Sequence, residues 1–352
     1  MAMRIGIDAR LINETGVGRY MRNLVVQLGR IDGKNFYIVF LNGEAFDTFE
    51  VPNSRWQKRL ADVAWHSVAE QFIMPWLFIK EHLDLVHIPY FNVPIFYPGK
   101  FIVTIHDLTI LHFDTGKATT LPLPFYKLRR LGYYLVLAVG LRRAQKIIAV
   151  SQTTKQEIID HFGINEKKIV ITHEGIDTLA TSDKRQAISQ YFLYVGNAYP
   201  HKNLETLLKA IAKLKSKLVL VGKDDYFYQR LPRQDNVTFF GEANDGQLRS
   251  LYKNAIALVF PSLMEGFGLP GLEAMAVGTP VVCSDIPVFR EVYGEAALYF
   301  DALDINDLVK KLSEITTNDS LRKNLVGKGL VKVKSYSWTK LAEQTLAAYN
   351  SV

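Results

Sequence analysis

The stretch "IALVFPSLMEGFGLPGLEAMAVGTPVVCS", residues 256–284, decides how the chain is built. It opens on an apolar run, breaks at a glycine-rich turn, continues as a short helical segment and closes on a second β-rich run. Gly266, Gly268, Pro270 and Gly271 keep a regular helix from starting before Pro270. Pro270 suits a first helical turn, "GLEAMAV" supplies the helix, and Gly278 with Pro280 ends it. Glu265 therefore lies on a loop and Glu273 on a helix, eight residues apart around bare backbone. The free N–H groups of a helix start carry roughly half a unit of positive charge, which suits a phosphate. A structural reading uses the same residues: Ser262 and Glu265 match the S-x-x-E capping box, and Glu273 answers the helix dipole. On this segment alone both readings stand.

The strand–turn–helix pattern recurs along the chain. "RIGID", "FYIVFL", "LVHI", "FIVTI" and "KIIAV" come first, then "FLYVG", "KLVLVG", "VTFFG", "IALVF" and "PVVCS", each followed by helical patterning. Such alternation builds parallel sheets covered by helices, and ligands of these sheets bind at the carboxyl ends of the strands. The expectation is an α/β chain of two doubly wound Rossmann-like domains facing an interdomain cleft. The polar segment 176–190 is the linker, 1–175 the N-terminal domain and 191–336 the C-terminal one. "WTKLAEQTLAAYN" predicts a closing helix within 337–352 that packs on either domain.

At 352 residues and 48% hydrophobic content, the chain has material for two cores. Its net charge of +7 comes without long basic blocks, which favours small anionic ligands over a disordered nucleic-acid arm. The single cysteine, Cys283, excludes an intramolecular disulfide and fits a reducing compartment; it reads as a buried strand residue. The N-terminus has no apolar signal core, so a cytoplasmic protein is expected. The longest apolar run, "LGYYLVLAVGL" at 131–141, is far short of the roughly 20 residues a bilayer span needs. It belongs to a stretch carrying Lys127, Arg129, Arg130, Arg142 and Arg143 among apolar residues. That stretch is either a core helix with a solvated basic face or a basic amphipathic helix for an anionic membrane surface at the inner face of the membrane.

Several familiar motifs fail. Gly16 and Gly18 follow the first strand, but Met21 occupies the third glycine position of a dinucleotide fingerprint, and no acid is placed for a ribose after the second strand. The pair still predicts a loop of bare backbone where a phosphate or acceptor can lie, or simply a helix-start loop. No P-loop occurs, and "HEGID" at 173 lacks the second histidine of a zinc protease. Asp-x-Asp is absent from the sequence, so an enzyme of nucleoside diphosphates built this way must neutralise them with lysines and helix ends. Lys202 in "YVGNAYPHKNLETLLKAI" stands between a strand end and a helix start; it is a diphosphate ligand or one more solvated lysine. His106 and Asp107 leave the strand "FIVTI" at its carboxyl edge, where an imidazole can exchange protons near neutral pH, or where Asp107 merely caps the next turn.

Taken together, these residues resemble the retaining glycosyltransferases of family 4, the group 1 glycosyl transferases, a family of GT-B fold. "EGFGLPGLEAMAVGTPVV" resembles that family's E-x7-E signature, and "GVGRYMRNL", "TIHDL", "AVSQTTKQEI", "VGNAYPHKN" and "GTPVVCSDIPVFREV" extend the likeness over most of the chain. The flavour is of bacterial mannosyltransferases that build surface polysaccharides. The resemblance implies that 1–175 is the acceptor-side domain and 191–336 the nucleotide-sugar-binding one, and that Glu265 contacts the donor sugar's hydroxyls. The backbone of Gly266, Phe267 and Gly268, with Leu269 at the helix start, lines sugar and phosphate. Glu273 holds the ribose, Lys202 the diphosphate, and His106 sits beside the reacting face of the sugar. The Gly16 and Gly18 loop borders donor and acceptor. Asn197 stands where many members carry an arginine, so the cationic pair with Lys202 is halved; Arg10, Arg19 or Lys223 replaces it, or Lys202 and the helix end suffice.

The implied reaction moves a hexosyl group, mannosyl favoured, from a nucleoside diphosphate sugar to a saccharide or lipid-linked hydroxyl. Configuration is retained, with no metal, no cofactor and no nucleic-acid partner. GDP-mannose is favoured over UDP-sugars. Two alternatives stand beside it: a nucleotide-sugar 2-epimerase of the same architecture, and a non-enzymatic basic module for membranes or RNA. The second would not need the Glu265 and Glu273 pair, and no RNP1-like motif is visible.

Overall fold

A computed structural model describes residues 2–113, 123–176 and 191–352. The described chain divides into two compact units. The N-terminal unit runs to residue 111, resumes over 123–175 and takes in 337–352; the C-terminal unit holds 112–113, 176 and 191–336. From 177 onward, the expected linker lies outside the described residues.

The N-terminal unit carries a seven-stranded sheet. Its strands are β1 (Arg4–Asp8), β2 (Phe36–Leu41), β3 (Trp56–Leu60), β4 (Leu85–Ile88), β5 (Phe101–Ile105), β6 (Lys146–Ala149) and β7 (Ile169–Ile171). They pair in parallel in the order β3-β2-β1-β4-β5-β6-β7. The apolar runs read from the sequence are the inner strands, which are buried on both faces and so lack a polar period. Val86, Val103, Ile105 and Ile147 join Phe78 and Leu141 in the core on one side.

The C-terminal unit repeats the plan with six parallel strands: β8 (Tyr191–Val195), β9 (Lys217–Val221), β10 (Val237–Gly241), β11 (Leu258–Phe260), β12 (Val281–Ser284) and β13 (Ala297–Phe300). Their order is β10-β9-β8-β11-β12-β13. Strand order reverses between β1 and β4 in one sheet and between β8 and β11 in the other. Loops leaving the carboxyl ends at such a reversal diverge and open a crevice. In the C-terminal unit those loops are the two that carry Lys202 and Glu265. Cys283 is a fully buried β12 residue, as expected, and burial raises its thiol pKa well above the ordinary value.

The helix Trp338–Asn350, capped by Ser337 through the N–H of Lys340, belongs to the N-terminal unit and packs on the helix Gly16–Ile31. One expectation is corrected here. Gly16 and Gly18 are not a loop but the first turn of that helix. A Cβ on Gly18 would stand 2.5 Å from the Ile12 carbonyl oxygen and 2.9 Å from that of Leu11, so its glycine serves the close return of the preceding loop. Gly16 is exposed, with open space beside it.

Candidate active site

The turn Pro200–Lys202 follows β8, and Asn203 ends it in the left-handed conformation at φ 55°, tolerable for asparagine. Its amide donates to the carbonyls of Pro261 at 3.2 Å and Ala302 at 2.9 Å, while the N–H of Leu263 donates to the His201 carbonyl at 2.8 Å. These bonds stitch the loop after β8 to the loop after β11. Lys202 Nζ then donates to Glu265 Oε1 at 2.6 Å, and the Ser262 hydroxyl donates to the same oxygen at 2.6 Å. Side-chain exposure is only 13% for Lys202 and 11% for Glu265, so both ions are largely stripped of water. Such a pair is costly to build and repays little in stability. Among the described residues Glu265 Oε2 accepts from no protein group and Lys202 Nζ donates to no second acceptor. The pair therefore keeps acceptor and donor capacity for something else.

The glycine turn between them and the helix is rigid. Gly268 sits at φ +100°, and a Cβ there would lie 2.3 Å from Tyr293 Oη. The buried Tyr293 hydroxyl donates to the Gly268 carbonyl at 2.6 Å, and Phe267 packs edge-on to Tyr336 at 5.5 Å. Gly266, Phe267, Gly268 and Leu269 are all buried. They lead into the helix Leu269–Ala276, on which Glu273 is 8% exposed and accepts from the Tyr252 hydroxyl at 2.9 Å. The capping-box alternative fails, because no helix follows Ser262 directly; Ser262 serves Glu265 itself.

Asn197 is half-buried and turned to its own loop, with Oδ1 accepting from the Tyr199 N–H at 3.4 Å. Of the three candidates for the missing cation, Arg10 is excluded. It is 5% exposed and held by Asp8 at 2.8 and 2.7 Å and by Glu70, inside the N-terminal unit. Lys223 is exposed, just beyond β9, and Arg19 is half-buried on the first helix.

In the N-terminal unit His106 follows β5, as its sequence position requires. Nε2 stands 3.0 Å from the Pro89 carbonyl, which only accepts, so Nε2 carries a proton. Nδ1 lies 3.1 Å from an oxygen of the buried Glu174 carboxylate. Tyr20 sets its ring edge against the imidazole, centroids 4.8 Å apart. Glu174, Tyr20, Tyr252 and Tyr293 were not singled out from the sequence; they lie tens of residues from what they touch, and no local spacing marks them. Glu174 stands in "HEGID", a segment informative only for the motif it fails to match.

Two parallel-sheet units with this strand order have the GT-B fold, and solved structures agree. Sucrose-phosphate synthase from Thermosynechococcus elongatus superposes with a TM-score of 0.80 at 19% identity over 99% of this chain and 98% of that one. WaaG, a glycosyltransferase involved in lipopolysaccharide biosynthesis, gives 0.74 at 17% identity over 97% and 98%. The family model Glycosyltransferase Family 4 matches residues 15–179, and Glycosyl transferases group 1 matches 181–330. The O-antigen chain mannosyltransferase B of Escherichia coli is 31% identical over 77% of this chain and 75% of its own length. The O-antigen chain mannosyltransferase RfbU of Salmonella typhimurium is 28% identical over 72% and 71%. The chain belongs to the family 4, group 1 glycosyltransferases, and it is an enzyme of that kind.

Proposed function

We propose that the protein transfers a mannosyl group from GDP-mannose to a hydroxyl of a saccharide or lipid-linked acceptor during surface-polysaccharide synthesis, retaining configuration and needing no metal. The single observation that carries the reading is the covered Lys202–Glu265 pair at the β8/β11 reversal, with its unused hydrogen-bonding capacity. A buried ion pair contributes little as scaffold, so a ligand is its better explanation. The names of the two O-antigen relatives support mannose and a polysaccharide product.

In this reading Lys202 and the amides from Gly266 to Leu269 take the diphosphate, whose charge grows as the C1–O bond breaks. Glu265 Oε2 accepts from the sugar hydroxyls, Glu273 from the ribose, and His106 serves the reacting face. The acceptor oxygen attacks C1 from the side the diphosphate leaves, and its proton passes to the departing phosphate oxygen. Lys202 replaces the divalent ion that other nucleotide-sugar enzymes hold with paired aspartates.

The lipid-linked option draws on the N-terminal unit. No helix of the described residues is long and apolar enough to cross a membrane. The helix Leu123–Arg143 nevertheless exposes Phe125, Leu128, Leu131 and Leu135 beside Lys127, and the helix Glu70–Lys80 exposes Phe72 and Trp76. Arg143 is engaged by the carbonyls of Ile95 and Tyr97, so the basic contribution is smaller than the sequence alone suggests.

A panel of GDP-, UDP- and dTDP-sugars in a thermal-shift assay tests the donor, because a ligand of the native state alone raises Tm. GDP-mannose is expected to raise it most, with an α-linked product on addition of acceptor. A larger shift from a UDP-sugar would sink the donor assignment, and an inverted product the mechanism.

A further inference from the structure

Behind His106 the N-terminal unit holds a chain of hydrogen bonds that the reaction outlined above does not use. Tyr349, near the end of the C-terminal helix, places its hydroxyl 2.6 Å from His87 Nδ1 on β4. His87 Nε2 lies 2.8 Å from Thr104 Oγ1 on β5, and Thr104 Oγ1 lies 3.2 Å from the Tyr20 hydroxyl on the helix Gly16–Ile31. All four residues are 0% exposed. Tyr20 is also the residue whose ring edge meets the His106 imidazole, and Thr104 precedes His106 by two residues, on the same face of the strand.

The direction of the chain follows from donor counting. Burial lowers the His87 pKa to about 3, so the ring is neutral, with one N–H and one lone pair between two hydroxyls. The phenol makes the shorter bond, so Tyr349 is assigned as the donor to Nδ1. His87 Nε2–H then donates to Thr104, which leaves the threonine proton for Tyr20. Each member is oriented by the one before it, and the last sets the ring against which His106 rests. A polar string of this length in a dry interior is expensive unless complete, and an apolar core would have served packing as well.

We infer that Tyr349, His87 and Thr104 are positioning residues for His106, so that the C-terminal helix completes the histidine site of the N-terminal unit. The inference rests on the reading of His106 as a group serving the reaction, and its test separates the two. Two variants cut the chain at different points with little change of shape: Tyr349→Phe and Thr104→Val. In protein with 15N-labelled histidines, the ring-nitrogen signals of His106, assigned by their loss in His106→Ala, are expected to move in both variants. GDP release from GDP-mannose is expected to fall about tenfold in kcat with KM nearly unchanged, as for a displaced catalytic group. In the His106→Ala background the same two substitutions should cost nothing further. Unmoved His106 signals in a variant that keeps the parent Tm would overturn the inference, as would fully additive losses. If His106→Ala alone leaves GDP release intact, the catalytic reading of His106 falls, while the ring signals still decide whether the chain positions it. Should Tyr349→Phe not fold, Thr104→Val carries the test.

Discussion

Lys202 shows how little a residue reveals in isolation. In the sequence it is one of 42 lysines and arginines, set apart only by its place between a strand end and a helix start. Its role becomes arguable only because Asn203 and the Leu263–His201 bond bring it to Glu265. Lys202→Ala is expected to lower Tm, because it leaves the covered Glu265 carboxylate without its partner, and in the protein that remains folded to lower turnover of the donor by about 10²–10³, the usual loss for one group that stabilises developing charge. Undiminished turnover in a folded Lys202→Ala protein would contradict its assignment to the diphosphate. The place of Glu265 on a loop ahead of a helix was legible, because glycine and proline punctuate the backbone there. Glu174 was not, since its partner His106 is 68 residues away.

Among elements, the inner strands were readable and three of the four edge strands were not; the fourth, β10, shows as "VTFFG". The three strands without a sequence signal are β3, β7 and β13, and each stands at the margin of its sheet. "WQKRL" carries polar residues suited to a half-solvated position, and "IVI" is too short to stand out. The turn before the helix Leu269–Ala276 was legible for the opposite reason, since its glycines mark a backbone that other residues adopt only with strain. Gly268→Ala adds a methyl against the buried Tyr293 hydroxyl at a positive φ. It should destabilise the protein by about 1–3 kcal/mol in chemical denaturation and weaken donor binding with it. Parent-like stability would show that the turn relaxes at no cost.

For the molecule as a whole, acid stability reports on the buried histidine of the N-terminal unit. His87 titrates near 6.5 in the unfolded chain and at about 3 in the folded one. Between those values the unfolded chain binds a proton that the folded chain refuses. The His87 contribution is therefore intact above pH 6.5 and is lost progressively as pH falls toward 3. Urea unfolding at about pH 7 and about pH 5 should show a steeper loss in the parent than in His87→Gln; equal slopes would mean that His87 is not held neutral. The same histidine divides what could be read from what had to be seen. The order of apolar runs, their breaks at glycine and proline, and the acid pair of the opening stretch were sufficient for two doubly wound units and a family, because periodicity and backbone restriction act within a few residues. The partner of each polar group was not readable. Tyr349 reaches His87 across 262 positions, and the C-terminal helix joins the N-terminal unit rather than its neighbour in sequence. Such choices are made by which surfaces exclude water together, and that is a property of the folded chain alone.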